Sequence, residues 1–385
     1  MKFAFISIMD AWQWGGSEEL WTRTALQLRQ RGHSVRASVP YWPELSPKFL
    51  ALRDSGITLD THISRHVSRA ARALNHLSRA TVRQQHRLLR YRPDLVVISQ
   101  GHNSGGFEWA RFCRNHCLPY CIIVHNNSEF WWFGENLPLA LDTYRGAIRV
   151  YCVSRHNLEL LQLQLGEPLP NAEIVRNPCN VPTEHVLPWP DEAGPLKLAS
   201  VARLEIAAKG QDLLLQTLAR REWRNRPVEV SFFGSGPDEL ALRRLAALLQ
   251  VQNAFFRGNV SDVQAIWREH HLLVLPSRYE GLPLVLVEAM WCGRPSVVTN
   301  VGGNAELCVE SQTGFVAPDP SLSSISAALE RAWEKRSAWK EMGQAARDFI
   351  QSQMPQNPVS VFCSQLENLQ RSPSRGYAVP AVSVE

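Results

Sequence analysis

The fold is specified most clearly by the stretch Leu272-Leu-Val-Leu-Pro276-Ser-Arg-Tyr-Glu280-Gly-Leu-Pro-Leu-Val-Leu-Val-Glu288-Ala-Met-Trp-Cys-Gly-Arg-Pro295. It begins with an apolar run typical of a buried strand, turns through Pro276 and Gly281, and enters a helix at about Pro283, because proline suits a first helical turn. Such a turn aims backbone N–H groups at whatever lies above the sheet, which in an open α/β sheet is the ligand crevice. The stretch therefore predicts an α/β fold with a binding site beside Glu280 and Glu288.

On both sides of this stretch, apolar runs alternate with amphipathic segments along most of the chain, which is the pattern of parallel sheets covered by helices. One predicted helix covers residues 18–31 and ends before Gly32. The predicted strands are 2–8, 35–39, 95–99, 121–124 and 148–153 in a first series, and 196–201, 228–233, 254–256, 272–275 and 296–299 in a second. The fold class is therefore α/β, with two doubly wound, Rossmann-like domains.

The two series are separated by a segment with the composition of a linker, since it is rich in proline and poor in apolar pairs. We predict an N-terminal domain over residues 1–178, a linker over 179–195 and a C-terminal domain over 196–354. A second amphipathic segment predicts a helix at about 355–371 that crosses back to the first domain. Residues 372–385 are expected to form a flexible tail.

Composition narrows the class of protein. The 385 residues are 45% hydrophobic and 20% charged, the balance of a soluble protein, and a net charge of +5 is too modest to indicate nucleic-acid binding. The eight Cys are scattered without zinc-type spacing, and we expect free thiols in a reducing compartment. The N-terminus is expected to be a strand rather than a signal peptide, and no run is long enough to span a bilayer. These features predict a cytoplasmic protein.

The pair Glu280 and Glu288 first suggests the acid and base of a glycosidase. Eight residues of helix span about 12 Å, whereas the paired carboxylates of glycosidases lie roughly 5–5.5 Å apart in retaining enzymes and roughly 6.5–9.5 Å apart in inverting ones. The spacing suits an elongated ligand with hydroxyls at two places, such as a hexose and a ribose joined by a diphosphate. The structural alternative is a capping glutamate followed by one on a helix surface.

The segment from Glu280 to Glu288 resembles the E-x7-E motif of retaining glycosyltransferases of family 4, which have the GT-B fold of two Rossmann-like domains facing each other across a cleft. The similarity continues through residues 298–306 and 313–316. It implies that Glu280 contacts hydroxyls of the transferred sugar and that Glu288 binds the ribose. It also implies that the N–H groups of Gly281 and Leu282 hold the sugar or phosphate.

A second element supports this resemblance, namely Val201-Ala-Arg203-Leu-Glu-Ile-Ala-Ala-Lys209-Gly210. It is similar to the G-R-x5-K-G element of the family, except that Ala202 replaces the usual glycine. The resemblance implies that Arg203 and Lys209 grip the donor diphosphate. Two cations can neutralise the charge that grows on a departing nucleoside diphosphate without a metal.

Gly-rich turns complete the expected donor site. Gly234 and Gly236 form a turn that lines the donor pocket in the family, and a packing role is the alternative. The segment with Gly258 and Val260 matches the loop that meets the nucleobase. The resemblance places Gly15 and Gly16 beside the phosphates and the acceptor. His125 follows an apolar strand, and its match to a family histidine near the reacting sugar stands beside an equal expectation that it is structural.

The resemblance implies retention at the anomeric carbon by front-face attack, with the leaving diphosphate taking the acceptor proton. The expected catalytic residues are Glu280, His125, Arg203 and Lys209, with no metal, no cofactor and a UDP-sugar favoured over GDP- or ADP-sugars. The alternatives are a nucleotide-sugar epimerase or a phosphorylase of the same fold, and a non-catalytic nucleotide-sugar-binding subunit.

Two further patterns concern partners. Arginines recur without Asp or Glu from Thr61 to Pro93, at positions Arg65, Arg69, Arg72, Arg79, Arg83, Arg87 and Arg90. This basic face is either solvated or attracted to an anionic membrane surface or a phosphorylated acceptor, which would make the protein peripheral on the inner face of the membrane. Trp131 and Trp132, with Trp12 and Trp14 on another loop, predict an aromatic acceptor site for a sugar, glycan or lipid-linked acceptor, or else a buried plug.

Overall fold

The computed structural model describes residues 1–62, 76–191 and 193–369. The first sheet consists of β1 Lys2–Ser7, β2 Ser34–Pro40, β3 Thr58–His62, β4 Leu95–Gln100, β5 Tyr120–Val124, β6 Arg149–Cys152 and β7 Ala172–Ile174. Its strand order is β3-β2-β1-β4-β5-β6-β7, with parallel pairings throughout. The order reverses between β1 and β4, which places a topological switch point there.

The second sheet repeats this topology with six strands. They are β8 Leu196–Val201, β9 Val228–Phe233, β10 Ala254–Gly258, β11 Leu272–Leu275, β12 Ser296–Thr299 and β13 Gly314–Ala317. The order is β10-β9-β8-β11-β12-β13, again parallel, with the reversal between β8 and β11. The two sheets confirm the predicted class of two Rossmann-like domains.

Helices connect these strands as the crossovers of a parallel sheet require. In the first domain they are α1 Gly16–Gln30, α2 Pro47–Asp54, α3 His76–Tyr91, α4 Phe107–Asn115, α5 Leu137–Arg145 and α6 Arg155–Leu165. From residue 196 onward they are α7 Ile206–Lys209, α8 Gln211–Leu218, α9 Arg221–Arg224, α10 Glu239–Leu248, α11 Val263–Glu269, α12 Leu284–Trp291, α13 Asn304–Leu307, α14 Leu322–Glu334, α15 Trp339–Gln353 and α16 Pro358–Leu369. The helix that carries Glu288, α12, begins one residue after Pro283, which caps it.

Alternating residues of β1 show that both faces of the first sheet are covered. Phe3 and Phe5 pack in one apolar cluster with Trp21 of α1, whereas Ala4 and Ile6 belong to a second cluster with residues of α3 and α4. Successive strand residues point to opposite faces, so the buried side chains of β1 meet a helix layer on either side. This burial on two sides explains why the central strands are almost wholly apolar.

The last helix of the described residues returns to the first domain. Phe362 of α16 is fully buried and its ring lies 4.9 Å from that of Tyr151 in β6. Glu367 receives a hydrogen bond from Arg31 at 2.8 Å and is 2.7 Å from the His33 ring. The chain therefore passes between the domains twice, once between β7 and β8 and once between α15 and α16.

Candidate active site

The loop after β11 places Glu280 in a buried polar pocket at the carboxyl end of the second sheet. The side chain is 5% exposed. Its Oε1 accepts a hydrogen bond from Ser277 Oγ at 2.7 Å and forms an ion pair with Lys209 Nζ at 2.6 Å. The carboxylate expected on the sugar and the ammonium expected on the diphosphate therefore contact each other directly.

Arg203 lies in the loop after β8, beside the switch point of the second sheet. Its guanidinium pairs with Glu205 at 3.0 Å and lies 5.3 Å from the ring centre of Trp12 in the first domain. Both cations of the expected diphosphate grip are thus paired with carboxylates in this structure. An incoming diphosphate would exchange with Glu205 and Glu280 for these cations.

Glu288 projects from α12 and is 4% exposed. Its Oε1 accepts two hydrogen bonds from Asn180 of the linker, from the backbone N at 3.2 Å and from Nδ2 at 3.1 Å. Burial raises the pKa of the Glu288 carboxyl, and the two bonds from Asn180 oppose that shift. The contacts with the linker therefore counteract part of the effect of burial on this carboxyl.

Gly281 allows the loop between β11 and α12 to touch the first domain. A Cβ at this position would lie 1.9 Å from the carbonyl oxygen of His125, a distance that no side chain tolerates. Gly302 faces the same loop, where a Cβ would lie 2.1 Å from the Glu280 carbonyl oxygen. Three backbone segments thus converge at Glu280, which fixes the loop by close packing.

His125 is buried at the end of β5, and its Nε2 lies 3.1 Å from Ser99 Oγ. Its Nδ1 has no hydrogen-bond partner in the part of the chain that the structure describes. Burial lowers the pKa of His125 to about 3, so the ring is neutral near pH 7. A neutral imidazole can hydrogen-bond a hydroxyl, but it brings no positive charge to a diphosphate.

The two Gly-rich turns of the second domain pack against the Arg203 loop. A Cβ at Gly234 would meet the Ala202 carbonyl oxygen at 2.1 Å, and one at Gly236 would meet the Leu204 carbonyl oxygen at 2.3 Å. Gly258 has φ +71 and accepts a hydrogen bond from Gly234 N at 2.8 Å. Close backbone packing therefore explains why both position 234 and position 236 are glycine.

A cavity of about 340 Å³ opens above these turns. Val260 and Gly234 line it from the second domain together with Arg203, and Trp12 and Trp14 line it from the first. The structure thus brings two of the expected acceptor residues together with expected donor residues. Neither Glu280 nor Glu288 is among the described residues that line the cavity.

Gly15 and Gly16 lie at the start of α1. Gly15 caps the helix with an extended backbone, and Gly16 is its first residue. A Cβ at Gly16 would lie 3.2 Å from a methyl carbon of Leu284 in α12. Leu282, in the loop between β11 and α12, is buried. The glycine pair therefore lets the first domain approach the helix that carries Glu288.

The other two candidate tryptophans lie apart from this cavity. The ring of Trp131 is 4.9 Å from that of Tyr279, immediately before Glu280, and 5.9 Å from that of His102. Trp132 is 64% exposed and its neighbour Phe130 is 83% exposed. The structure therefore places Trp12 and Trp14 over the cavity, Trp131 beside the Glu280 loop and Trp132 on the surface.

Several polar residues of the site were not predicted from the sequence. Glu18 and Glu19 are buried in the first turn of α1, although acidic residues there are usually solvated partners of the helix dipole. Glu306 of α13 accepts a hydrogen bond from the His156 backbone N at 2.8 Å and pairs with Arg176, so it joins the two domains. The linker residue Asn180 carried no signal beyond its place in a Pro-rich segment.

The basic face is described only in part. Arg65, Arg69 and Arg72, and the side chain of Arg79, lie outside the described residues. Arg83 and Arg90 are exposed, whereas Arg87 pairs with Asp60 at 2.6 Å. Over the described residues, no helix combines the length and apolar character needed to cross a membrane. The same residues contain no group of three or more His, Cys, Asp or Glu side chains able to hold a metal ion.

The sequence matches two family models that together cover most of the chain. Residues 14–185 match the model described as Glycosyltransferase Family 4, and residues 188–349 match Glycosyl transferases group 1. A glycogen synthase of Mycobacterium tuberculosis is 27% identical over 225 residues, which are 56% of this chain. The match covers 53% of that enzyme, so the chain spans about half the length of this curated relative.

Solved structures resemble the whole chain. HepE of Anabaena in complex with UDP-glucose superimposes with a TM-score of 0.75 at 18% identity, covering 97% of this chain and all of that one. The lipopolysaccharide outer core galactosyltransferase WaaB superimposes with a TM-score of 0.70 at 17% identity, covering 96% of this chain and 99% of its own. The similarity to these solved structures shows a shared fold, whereas the family models match the sequence. The chain belongs to the glycosyltransferases of family 4 and group 1, and its fold is GT-B.

Proposed function

We propose that the chain is a retaining, metal-independent hexosyltransferase that uses a nucleotide-sugar, with a UDP-sugar favoured as donor. The observation that carries the proposal is the way in which the two glutamates are held. Each is buried and receives its hydrogen bonds on Oε1, and no donor among the described residues contacts Oε2 of either. Each Oε2 is therefore left for a further donor, and the hydroxyls of the sugar and the ribose are groups that can supply it.

The ion pairs of Lys209 and Arg203 support a site that binds a diphosphate. When the donor binds, Lys209 and Arg203 would turn from Glu280 and Glu205 to phosphate oxygens, and Glu280 would then hold the sugar. Breaking the ion pairs of the ligand-free protein costs free energy, and the stronger charge of a diphosphate offsets that cost. This exchange links donor binding to release of the sugar-binding carboxylate.

In the proposed reaction the acceptor hydroxyl attacks the anomeric carbon from the face that the diphosphate leaves. The new carbon–oxygen bond forms as the bond to the β-phosphate oxygen breaks, and both electrons of the broken bond stay with the diphosphate. The acceptor proton passes to that departing oxygen, so no protein base is consumed. Arg203 and Lys209 stabilise the leaving charge, and the neutral ring of His125 would hydrogen-bond the sugar.

Relatives support the choice of substrates. HepE of Anabaena has been solved in complex with UDP-glucose, and WaaB is a galactosyltransferase of the lipopolysaccharide outer core. We propose a UDP-sugar for this chain and an acceptor of the cell envelope, a glycan or a lipid-linked sugar. Trp131 and Trp132 would stack on acceptor rings beside the Glu280 loop, whereas Trp12 and Trp14 lie over the cavity that suits the nucleotide.

A thermal-shift screen tests the donor class. UDP-, GDP- and ADP-sugars are each added to the full chain, and the melting temperature is compared with that of the free protein. We expect stabilisation by at least one UDP-sugar, and a smaller shift for Glu288→Gln. Equal melting temperatures with and without all three donor classes would contradict the proposal, and stabilisation by a GDP- or ADP-sugar alone would correct the nucleobase.

We also propose that Arg83 and Arg90, which are exposed, draw the enzyme to an anionic membrane surface. Sedimentation with phosphatidylglycerol vesicles at low and high salt tests this. Binding should fall with salt and with Arg83→Glu combined with Arg90→Glu, while phosphatidylcholine vesicles serve as the neutral control. Binding that is indifferent to salt and to the charge reversals would leave a solvated face as the explanation.

A further inference from the structure

One unbroken set of polar contacts joins the linker to the second glutamate of the donor site. Asn180, at the start of the linker, donates to Glu288 Oε1 twice, at 3.2 Å from its backbone N and at 3.1 Å from Nδ2. The side-chain oxygen of the same amide accepts a hydrogen bond from Arg23 Nη2. Asn180 therefore uses both ends of its amide, one toward the donor domain and one toward the acceptor domain.

Arg23 is itself fixed by the first helix. It lies in α1, pairs with Glu19 one turn earlier at 2.9 Å, and reaches the Cys179 carbonyl oxygen at 3.3 Å. Glu19 is almost fully buried and also binds Lys48 Nζ at 2.8 Å. A guanidinium with this many acceptors has little freedom to rotate.

The same contacts reach the wall of the donor cavity. Glu19 accepts a hydrogen bond from Trp14 Nε1 at 2.8 Å, and Trp14 lines the cavity together with Arg203. The series Trp14–Glu19–Arg23–Asn180–Glu288 thus begins at the cavity and ends at the expected ribose ligand. Each link is a direct contact between two side chains, and the fourth is reinforced by a backbone N–H.

We infer that Asn180 is a positioning residue that orients Glu288 for the ribose hydroxyls and ties that orientation to the first domain through Arg23. The two bonds to Oε1 leave Oε2 to receive a hydroxyl, and they fix the plane of the carboxylate. Asn180 touches no reacting atom. This inference rests on the proposed function, because it takes a nucleoside diphosphate as the ligand of Glu288.

The inference can be tested by substitution, because Asn180 is exposed and replacing its side chain with that of alanine removes no contact of the apolar core. The free full chain is titrated calorimetrically with UDP, GDP and ADP, and the tightest binder is compared with its 2′-deoxy counterpart. The dissociation constant of the 2′-deoxy nucleotide divided by that of the ribonucleotide measures recognition of the ribose 2′-hydroxyl. A hydrogen bond to a charged group predicts a ratio of about ten or more for the wild type.

In Asn180→Ala we expect this ratio to fall by at least about fivefold, while the dissociation constant of the 2′-deoxy nucleotide changes by less than about twofold. Arg23→Gln keeps the amide but removes its anchor, and it should lower the ratio in the same direction by less. Asn253→Ala is the matched control, since Asn253 donates to the Val228 carbonyl oxygen in the same domain as Glu288 at 3.0 Å. Melting temperatures show that each variant is folded.

A wild-type ratio retained in Asn180→Ala or in Arg23→Gln overturns the inference. Equal weakening of both nucleotides also overturns it, because a general structural defect does not distinguish ribose from deoxyribose. A wild type that binds none of the three nucleotides contradicts the proposed function, and the inference with it. If the wild type and the two variants prefer the ribonucleotide equally, the inference is contradicted and the proposed function is not.

Discussion

The carboxyl of Glu18 is fully buried in the first turn of α1. It accepts hydrogen bonds from Ser7 Oγ, Ser17 Oγ and Trp21 Nε1. Burial is the largest influence and raises the pKa of Glu18 to about 7 from 4.5, with the three hydrogen bonds opposing it. Between these two values the folded chain keeps a proton that the unfolded chain has released, so this residue lowers stability as the pH rises through that window.

Glu18→Gln is therefore expected to raise the melting temperature at pH 8. The gain corresponds to at most about 3 kcal/mol, and it should shrink towards zero as the pH approaches 4.5. The amide can still accept from Trp21 and donate to the two serine hydroxyls. Thermal unfolding at pH 5 and pH 8 provides the measurement, with the exposed Glu341→Gln as control. A gain of equal size at both pH values would show that the charge of Glu18 is not the cause.

For single residues, the sequence identified side chains better than their partners. Glu280, Lys209 and Arg203 were predicted as site residues because their motif spacing is distinctive, and the structure places Lys209 against Glu280. Their pairings with each other and with Glu205 were not predictable, because ion pairs depend on loop geometry that no local pattern encodes. Asn180 and Glu306 were missed for the same reason, since each contacts a residue more than 100 positions away.

Among the elements, the loop between β11 and α12 is held by close backbone contact rather than by side chains. Gly281 meets the His125 carbonyl oxygen at a distance that excludes a Cβ. The contact packs this loop onto the end of β5, where His125 lies. The loop and the strand end therefore act as one unit.

Gly281→Ala should push this unit apart. We expect a loss of about 1–3 kcal/mol in stability from overpacking, and a loss of transfer on the order of 10²-fold because a displacement of about 1 Å at the chemistry suffices. Gly134→Ala is the control, since Gly134 has φ +53 but open space around it. The control should lose stability by strain alone and keep its activity. Unchanged transfer in Gly281→Ala would mean that this contact does not position the loop.

The strands that were not predicted from the sequence share one property. β3, β7 and β13 all lie at the edges of their sheets. An edge strand pairs on one side only and needs fewer apolar residues, so its pattern is weak, as in Thr-Leu-Asp-Thr-His of β3. Central strands such as β8, β9, β11 and β12 were predicted with the bounds that they have, because burial on both faces forces apolar runs.

In the molecule as a whole, α16 packs against the first domain. Phe362 is fully buried against Tyr151, and Cys363 packs on α1 with its Sγ 3.7 Å from the Thr24 carbonyl oxygen. The linker and α16 together connect the two domains at two points.

Phe362→Ala should release this second connection. We expect a loss of about 3–5 kcal/mol from the buried ring, together with faster hydrogen exchange in α1 and α16 and little change in the second sheet. Val361→Ala, on the exposed face of the same helix, provides the control. Equal exchange in both variants would contradict the assigned role of α16.

The proposed function depends above all on Glu280 holding the sugar of a nucleotide-sugar whose diphosphate Arg203 and Lys209 bind. This role is tested by the release of nucleoside diphosphate from UDP-, GDP- and ADP-sugars, followed by chromatography with the wild type, Glu280→Gln and the exposed control Glu341→Gln. We predict that the wild type and the control consume at least one donor, and that Glu280→Gln does so on the order of 10²–10³-fold more slowly. No consumption of any donor by the folded wild type, or a wild-type rate in Glu280→Gln, would contradict this role.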